Sequence, residues 1–160
     1  LLNLFAYTGS FSVQSALSSA SSTTSIDLSA RTCRWAEENV ALNALDSQKH
    51  RVICRDVLEF VAGDEDRGAY DVVVVDPPSF SRSKRAARDF EVARDHAWLI
   101  QRSLTKCRSG GTVWFSTNLR GFSLSNEVAG SGVVVKDVTA QTTPPDFQQR
   151  PHSCFRVTRG

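Results

Sequence analysis

The sequence contains no methionine, and it begins at Leu1. Because translation starts with methionine, we expect this chain to be a piece of a longer protein, a trimmed domain rather than a processed one. No apolar run approaches the roughly 20 residues that a membrane-spanning helix needs, and no basic start leads into an apolar stretch as in a signal peptide. These absences predict a cytoplasmic protein that makes no contact with a membrane.

Signatures of common metal and dinucleotide sites are also missing. The four cysteines, Cys33, Cys54, Cys107 and Cys154, form no C-x-x-C pair, so neither a zinc site nor another metal site is expected. A domain of this size can bury a core without disulfides, which favours reduced thiols. The G-x-G-x-x-G dinucleotide pattern is absent as well. The net charge of +2 neither demands nor excludes a nucleic acid partner.

Short β-like runs alternate with helical patterns along the chain. Strands are predicted at 2–5, 23–26, 51–54, 72–75, 112–115, 133–138 and 154–157. The helices between them are predicted from apolar stripes at Val13, Ala16, Leu17 and Ala20; at Cys33, Ala36, Val40 and Ala44 after a Ser29 cap; at 57–62; and at Phe90, Ala93, Ala97, Ile100 and Leu104, ending at Gly110-Gly111. This alternation predicts one α/β domain over residues 1–160, a Rossmann-like doubly wound, mostly parallel seven-stranded sheet with an antiparallel last strand.

Acidic residues come at the carboxyl ends of three successive predicted strands, at Asp27, Asp56 and Asp76. Ligands of open α/β sheets bind at that edge, and neighbouring carboxylates repel one another unless ligand groups separate them. Each residue alone has a plainer interpretation, as a helix-start residue, a helix cap and a turn residue respectively. Their conjunction predicts a site, in which a carboxylate on the second strand suits the hydroxyls of a ribose.

Two consecutive prolines, Pro77 and Pro78, follow Asp76 at the tip of the valine-rich strand. Their rings hold the backbone rigid and leave carbonyl groups without neighbouring N–H groups. Together with the aromatic ring of Phe80, this rigid wall suits a flat base that approaches by its edge.

Several stretches of the sequence accompany these acidic strand ends. They are Asn3-Leu4-Phe5-Ala6-Tyr7-Thr8-Gly9-Ser10, Asp76-Pro77-Pro78-Ser79-Phe80, Arg94-Asp95-His96, Phe115-Ser116-Thr117-Asn118 and His152-Ser153-Cys154. In this combination the chain resembles the class I S-adenosylmethionine-dependent methyltransferases over essentially its whole length. More narrowly, it is similar to the ribosomal RNA large-subunit methyltransferases with an N-L-F-x-Y-T-G first motif, and within them to the carboxy-terminal, guanine-N7 half of the bifunctional bacterial members.

The resemblance implies S-adenosylmethionine as cofactor and 23S ribosomal RNA as partner and substrate, with a methyl group transferred to a base. The residues that it implies for cofactor binding are Phe5, Tyr7, Thr8, Gly9 and Ser10 around the methionine part, Asp27 with Leu28 at the ribose, and Asp56 with Val57 at the adenine. Asp76, Pro77 and Pro78 are implied to be catalytic, between the donor methyl group and the target base, with Asp76 also contacting the cofactor.

Cytosine C5 is the nearest alternative target. Its methylation needs a thiolate that attacks C6 of the pyrimidine, and in that branch of the family the cysteine follows the fifth strand. Here Ser116, Thr117 and Asn118 hold that place, whereas Cys107 and Cys154 lie elsewhere and are expected to be core or near-core thiols. Guanine N7 fits better, because its lone pair can attack the methyl group without prior loss of a proton.

Basic residues cluster directly after the D-P-P motif. A charge run of this kind is ordinarily a solvated loop, but beside a base pocket it is equally expected to contact RNA phosphates. The residues predicted to bind RNA are Phe80, Arg82, Lys84, Arg85, Asn118, Arg120 and Phe122. Of these, Phe80 and Phe122 are expected to stack on a base turned out of the RNA. His96 and His152 are expected to be structural.

Two other functions are compatible with the same sequence. The enzyme could methylate another position or atom of RNA. Alternatively, the domain could bind the cofactor and act mainly as an RNA-binding or partner module, without activity of its own. The acidic strand ends do not distinguish these functions, because all of them require the cofactor site.

Overall fold

The computed structural model describes residues 1–82, 89–130, 132–147 and 151–159. Its strands are β1 (Leu2–Leu4), β2 (Thr23–Asp27), β3 (His50–Cys54), β4 (Tyr70–Val75), β5 (Phe80–Ser81), β6 (Phe90–Glu91), β7 (Cys107–Thr117), β8 (Val133–Asp137) and β9 (Ser153–Arg159). Seven of them form one sheet in the order β3-β2-β1-β4-β7-β9-β8, and β5 and β6 form a separate two-stranded ribbon.

The helices are α1 (Ser10–Leu17), α2 (Ala30–Leu42), α3 (Val57–Ala62), α4 (Val92–Lys106) and α5 (Thr139–Thr142), with a 3₁₀ turn at Asn126–Val128. Every pairing from β3 across to β7 is parallel, and β9 is antiparallel to both of its neighbours. This confirms the predicted doubly wound sheet with an antiparallel last strand. The chain order reverses between β1 and β4, and a crevice for a ligand forms at such a switch point.

The core lies on the face of the sheet that α3 and α4 cover. Alternate residues of β1, β4 and β7 point to that face, among them Leu4, Val75 and Phe115, each fully buried. Burying a side chain of this size stabilises the fold by roughly 1.5–3 kcal/mol. On the opposite face α1 and α2 pack over β1, β2 and β3, whereas Val74 and Trp114 of β4 and β7 are only half-buried. That opposite face is therefore open beside the switch point.

The segment after the D-P-P motif differs from the prediction of one long helix whose stripe starts at Phe90. Phe90 lies in β6, paired with Ser81 of β5, and α4 begins only at Val92. Ala93, predicted on the inner stripe, is exposed, while Val92 and Leu99 are buried. The ribbon displaces the helix start because Phe90 is buried from a strand, which the helical spacing of the sequence did not reveal.

Three further predictions about the helices were wrong. Leu17 and Ala44, expected on inner helix faces, are exposed. The two glycines expected to end α4 lie inside β7, where the strand bulges against β4. A Cβ atom on Gly111 would come within 3.0 Å of the Tyr70 carbonyl oxygen, so the close approach of the two backbones requires glycine there.

Two basic side chains of α4 hold the C-terminal end of the short helix α3. Arg102 donates to the carbonyls of Val61 and Ala62. Lys106 Nζ, fully buried, donates to the carbonyls of Gly63 at 2.8 Å and Glu65 at 2.6 Å. They satisfy carbonyls at and just beyond the helix end, most of which lack intrahelical partners, and thereby fix α3, whose first turn faces the site.

No helix within the described residues is long and apolar enough to cross a membrane. In the same part of the chain, no three His, Cys, Asp or Glu side chains are grouped so that they could hold a metal ion.

Candidate cofactor and base-binding cavity

The loop after β1 has an unusual backbone. Phe5, Tyr7 and Gly9 all adopt positive φ values, of 57°, 50° and 74°. A non-glycine residue in this region costs on the order of 1–3 kcal/mol and persists only where surrounding contacts fix it. Ala6 supplies such contacts, because its N–H donates to the Ile26 carbonyl and its carbonyl accepts from Gly9 N–H. The loop is thereby held in a conformation that turns the Tyr7 N–H towards β2.

Buried hydrogen bonds between β1, α1 and β2 support this loop. Asn3 Nδ2 donates to Ser12 Oγ at 3.2 Å, and Ser12 Oγ is 2.7 Å from Ser25 Oγ. This chain of contacts joins β1, α1 and β2 behind the loop. Gly9 permits the close packing, since a Cβ atom there would lie 3.1 Å from Ala36 Cβ of α2.

Asp27 ends β2, and its carboxylate is fixed by three donors from the chain. Oδ2 accepts from Tyr7 N–H at 2.9 Å, and Oδ1 accepts from Ser29 N–H and from the Thr32 hydroxyl, both at 2.9 Å. Ser29 also caps α2 through a 3.4 Å bond from Thr32 N–H, as predicted. A carboxylate has about four acceptor positions. The side chain is therefore pre-oriented, with about one position left for a ligand hydroxyl rather than the two that the sequence suggested.

Asp56 has both of the roles considered for it from the sequence. Its Oδ1 accepts from Leu58 N–H at 2.8 Å, which caps α3, and the residue also lines the cavity. Leu28 and Val57 line the same wall, across from β1. The cap fixes the first turn of α3, so that the apolar side chain of Val57 is presented beside a carboxylate.

The D-P-P motif is tied to the end of β7 by two side-chain hydrogen bonds. Ser116 Oγ donates to Asp76 Oδ1 at 2.6 Å, and Ser79 Oγ donates to Asn118 Oδ1 at 3.0 Å. Pro77, between the two bonds, is buried. The motif is thus a rigid wall clamped to the neighbouring strand, with the exposed carboxylate of Asp76 at its edge.

One cavity of about 1400 Å³ connects these features. Ligand pockets usually occupy about 300–1,000 Å³, so this cavity has room for a cofactor and a second group. Predicted site residues that line it are Phe5, Tyr7, Asp27, Leu28, Asp56, Val57, Asp76, Pro77, Pro78 and Asn118. The structure therefore brings residues from four strand ends and the D-P-P loop to a single space.

Other predicted residues lie outside this cavity. Thr8, Gly9 and Ser10 form the turn into α1 behind the lining residues. Phe80 is exposed, with the Arg82 guanidinium 4.9 Å from its ring centre, and Arg82 pairs with Asp89 at 3.3 Å.

Arg120 is exposed after β7. Lys84 and Arg85, predicted to bind RNA, lie outside the described residues.

Phe122 does not have the free ring that base stacking requires. Its ring centre lies 4.8 Å from that of His96, 5.7 Å from Phe115 and 6.1 Å from Phe155. His96, itself buried, accepts from Ser125 N–H at Nε2 and meets the Val92 carbonyl with Nδ1. Phe122 therefore packs against the core, and the expectation that it stacks on a base is corrected.

Three residues from the end of the chain also line the cavity and were not predicted as site residues. Cys154 of β9 pairs with Ser116 of β7, which brings it next to the D-P-P wall. His152 Nε2 lies 2.8 Å from Thr142 Oγ1. The predicted antiparallel direction of the last strand was a signal for them. An antiparallel strand begins at the edge where its parallel neighbours end, so the start of β9 belongs to the site.

Thr142 links His152 to the short helix α5. Its hydroxyl lies 2.8 Å from His152 Nε2 and is also within hydrogen-bonding distance of the carbonyls of Val138 and Thr139. The imidazole of His152 is therefore held at this end of the cavity, where a ring nitrogen can meet the polar edge of a base.

Comparison with known proteins agrees with this geometry. The family model described as S-adenosylmethionine-dependent methyltransferase matches residues 1–152. The ribosomal RNA large subunit methyltransferase K/L of Chromohalobacter salexigens is 44% identical over 160 residues, which are 98% of this chain and 21% of the relative. The chain thus spans about a fifth of that curated relative.

Solved structures show the same fold. A methyltransferase named SMU.776, crystallised with S-adenosylhomocysteine (SAH), is 28% identical with a TM-score of 0.82, covering 98% of this chain and 44% of that one. A methyltransferase of Streptococcus mutans is 26% identical with a TM-score of 0.78, covering 98% and 43%. With the acidic strand ends at one cavity and the family model matching nearly the whole sequence, this chain belongs to the S-adenosylmethionine-dependent methyltransferases.

Proposed function

We propose that this protein methylates a base of 23S ribosomal RNA, and that the atom methylated is guanine N7. The substrate class is supported by the 44% identity to a ribosomal RNA large subunit methyltransferase. The match covers only a fifth of that relative, so the activity of the longer protein is carried over as part of the proposal. The observation that carries the choice of atom is the state of Cys154 in the cavity wall.

The residues of the cavity fit the cofactor. Asp27 would accept a ribose hydroxyl at its remaining acceptor position, and Leu28 and Val57 would enclose the adenine. The loop of Phe5 and Tyr7 would enclose the methionine part. When bound, S-adenosylmethionine supplies a sulfonium methyl group that is transferred to a nucleophile in one displacement. The chain would orient this group towards the second part of the cavity.

The second part of the cavity, between the D-P-P wall and β9, would hold the target base. Asp76 lines the cavity, held by Ser116, and would bring a negative charge beside the base. Guanine N7 gains positive charge as it takes the methyl group, so a carboxylate there stabilises the transition state relative to the ground state. The N7 lone pair forms the new bond, and no proton has to be removed.

Cys154 is the only cysteine lining the part of the cavity that the structure describes. Cytosine C5 methylation would need it as a thiolate. Burial raises the pKa of the Cys154 thiol; hydrogen bonding with Thr142 acts against this rise, and the nearby carboxylates of Asp76 and Asp137 add to it. A raised pKa disfavours the thiolate that a covalent mechanism requires. The wall of this cavity favours in-line transfer to a nitrogen lone pair.

A methyl-transfer assay on unmodified 23S ribosomal RNA transcribed in vitro tests the proposal, with nucleosides identified by chromatography and mass spectrometry. We expect 7-methylguanosine. We also expect the Cys154→Ser variant to keep its activity within about threefold, whereas a covalent mechanism would lose several orders of magnitude without its nucleophile. Formation of 5-methylcytidine that disappears in Cys154→Ser would overturn the assignment.

Binding without transfer is the second candidate function, and the exposed Phe80 and Arg82 at the rim of the cavity favour it as much as they favour catalysis. A titration with SAH beside the transfer assay separates the two. Tight SAH binding with RNA binding but no transfer to any nucleoside would identify an RNA-binding module. Transfer to guanine would exclude it.

A further inference from the structure

Two thiols lie directly behind the turn that carries Asp27. Cys54, the last residue of β3, is paired with Asp27 in the parallel ladder, and Cys33 lies in the first turns of α2. Cys33 Sγ donates to the Asp27 carbonyl at 3.4 Å, and Cys54 Sγ donates to the Leu28 carbonyl at 3.6 Å. Both sulfurs therefore contact consecutive carbonyls of the same turn.

The two thiols differ in their access to solvent. Cys54 is exposed, whereas Cys33 is buried. Burial, reinforced by the neighbouring Cys54 thiol, raises the pKa of the Cys33 thiol to about 12. An oxidant in solution therefore reaches Cys54 first. Cys33 is shielded from the oxidant and stays protonated, so it is not itself oxidised. It contacts the same turn as Cys54, where it can meet an oxidised Cys54 and pass its proton to the leaving group.

We propose that Cys54 and Cys33 form a peroxide-sensitive pair, whose disulfide weakens binding of the cofactor. In the first step the Cys54 sulfur attacks a hydroperoxide such as hydrogen peroxide, the O–O bond breaks, and the products are a Cys54 sulfenic acid and water. In the second step the Cys33 sulfur attacks the Cys54 sulfur, and the hydroxyl leaves with the Cys33 proton as a second water. The two thiols lose two hydrogens and two electrons, which reduce the peroxide.

The disulfide would act on the cofactor site through the turn that the thiols support. It draws the sulfurs to about 2.05 Å from each other and removes both S–H donors from the carbonyls of Asp27 and Leu28. Both residues line the cavity. Cys33 also moves with the first turns of α2, which contain Thr32, one of the donors that orient the Asp27 carboxylate. We expect oxidation to raise the dissociation constant of SAH about tenfold.

Peptide mapping tests the pairing in the wild-type chain. After treatment with hydrogen peroxide and alkylation of free thiols, trypsin should release residues 32–34 and 52–55 as one disulfide-linked species, because arginines flank both cysteines. The link should disappear on reduction with dithiothreitol. Oxidation that leaves both peptides alkylated, or that ends in a sulfinic acid at Cys54 without the link, would overturn the proposal.

Calorimetric titration with SAH tests the consequence, before oxidation, after it and after reduction. The wild type should lose about tenfold in affinity and recover it. Cys54→Ser should bind SAH like the reduced wild type and be insensitive to peroxide, while the control Cys107→Ser should respond like the wild type. A linked wild type with unchanged affinity, or an equal loss in Cys54→Ser, contradicts the proposed regulation. Neither experiment uses RNA, so the outcome is independent of the proposed substrate.

Discussion

The two halves of the cavity are built differently. In the half formed by β1, β2 and β3, the chain itself fixes the acceptor that a ligand would meet, since three donors orient Asp27. In the half formed by β4, β7 and β9, Asp76 is exposed and is held by Ser116. The first half is preorganised before any ligand arrives, as a cofactor site needs. The second half is open, as the proposed base site would need.

The first half also depends on neighbouring segments of sequence, whereas the second depends on distant ones. Tyr7 and Asp27 are 20 residues apart, but Asp76 and Ser116 are 40 apart. The difference separates binding from catalysis: changes in the first half should act on cofactor affinity, and changes in the second on the rate of transfer.

Replacement of Asp27 should have the largest effect, because it removes the pre-oriented acceptor and leaves the N–H groups of Tyr7 and Ser29 without this partner. We expect Asp27→Ala to raise the dissociation constant of SAH about hundredfold, since hydrogen bonds to a charged group contribute about 1.5–3 kcal/mol. Calorimetric titration measures this. Glu38→Ala, which removes an exposed carboxylate from α2, is the control and should bind SAH with the affinity of the wild type. Unchanged affinity of Asp27→Ala would show that the first half is not the cofactor site.

Substitution of Gly9 tests how far the packing of the preorganised loop against α2 stabilises the fold. Gly9→Ala places a side chain at φ 74° and within 3.1 Å of Ala36 Cβ, whereas Gly68→Ala meets only the φ penalty, with nothing within 4 Å at φ 67°. We expect a loss of about 2 kcal/mol in unfolding free energy for Gly9→Ala and about 1 kcal/mol for Gly68→Ala. Urea unfolding measures both. Equal losses would mean that the packing against α2 contributes nothing.

Replacement of Ser116 tests the second half of the cavity and should have the smallest effect of the three substitutions. Ser116→Ala removes the hydroxyl that holds Asp76, so the rate of transfer should fall about tenfold, corresponding to about 1.4 kcal/mol, while SAH affinity changes less than about twofold. Single-turnover transfer to 23S ribosomal RNA and calorimetry measure the two quantities. Ser47→Ala, in an exposed turn, is the control. A loss of SAH affinity equal to the loss of rate would remove the distinction between the two halves.

The sequence predicted the acidic strand ends well because they depend on local order. Asp27, Asp56 and Asp76 each follow a recognisable apolar run, and parallel strands place such ends at one edge. Phe122 and Phe90 were placed wrongly for a different reason. A pattern of spacing shows that a side chain is apolar, but not whether its ring turns to the core or whether a short strand displaces the start of a helix.

Cys154 and His152 show more clearly the limit of what sequence patterns predict. In the chain they are far from the D-P-P motif, and their place at the cavity follows from the antiparallel pairing of β9 with β7. The direction of that strand was predicted, but its register with Ser116 was not, because register depends on contacts across the sheet.

The sequence alone determined the order of the elements, the class of sheet and the edge at which the carboxylates meet, since periodicity and strand ends are properties of neighbouring residues. Only the tertiary structure decided which distant residues share the cavity. It brought Ser116 to Asp76, Cys154 to Ser116, and the thiols of Cys33 and Cys54 to one turn. The physical reason is that these contacts arise from the packing of strands and helices from separate parts of the chain, which no local pattern encodes.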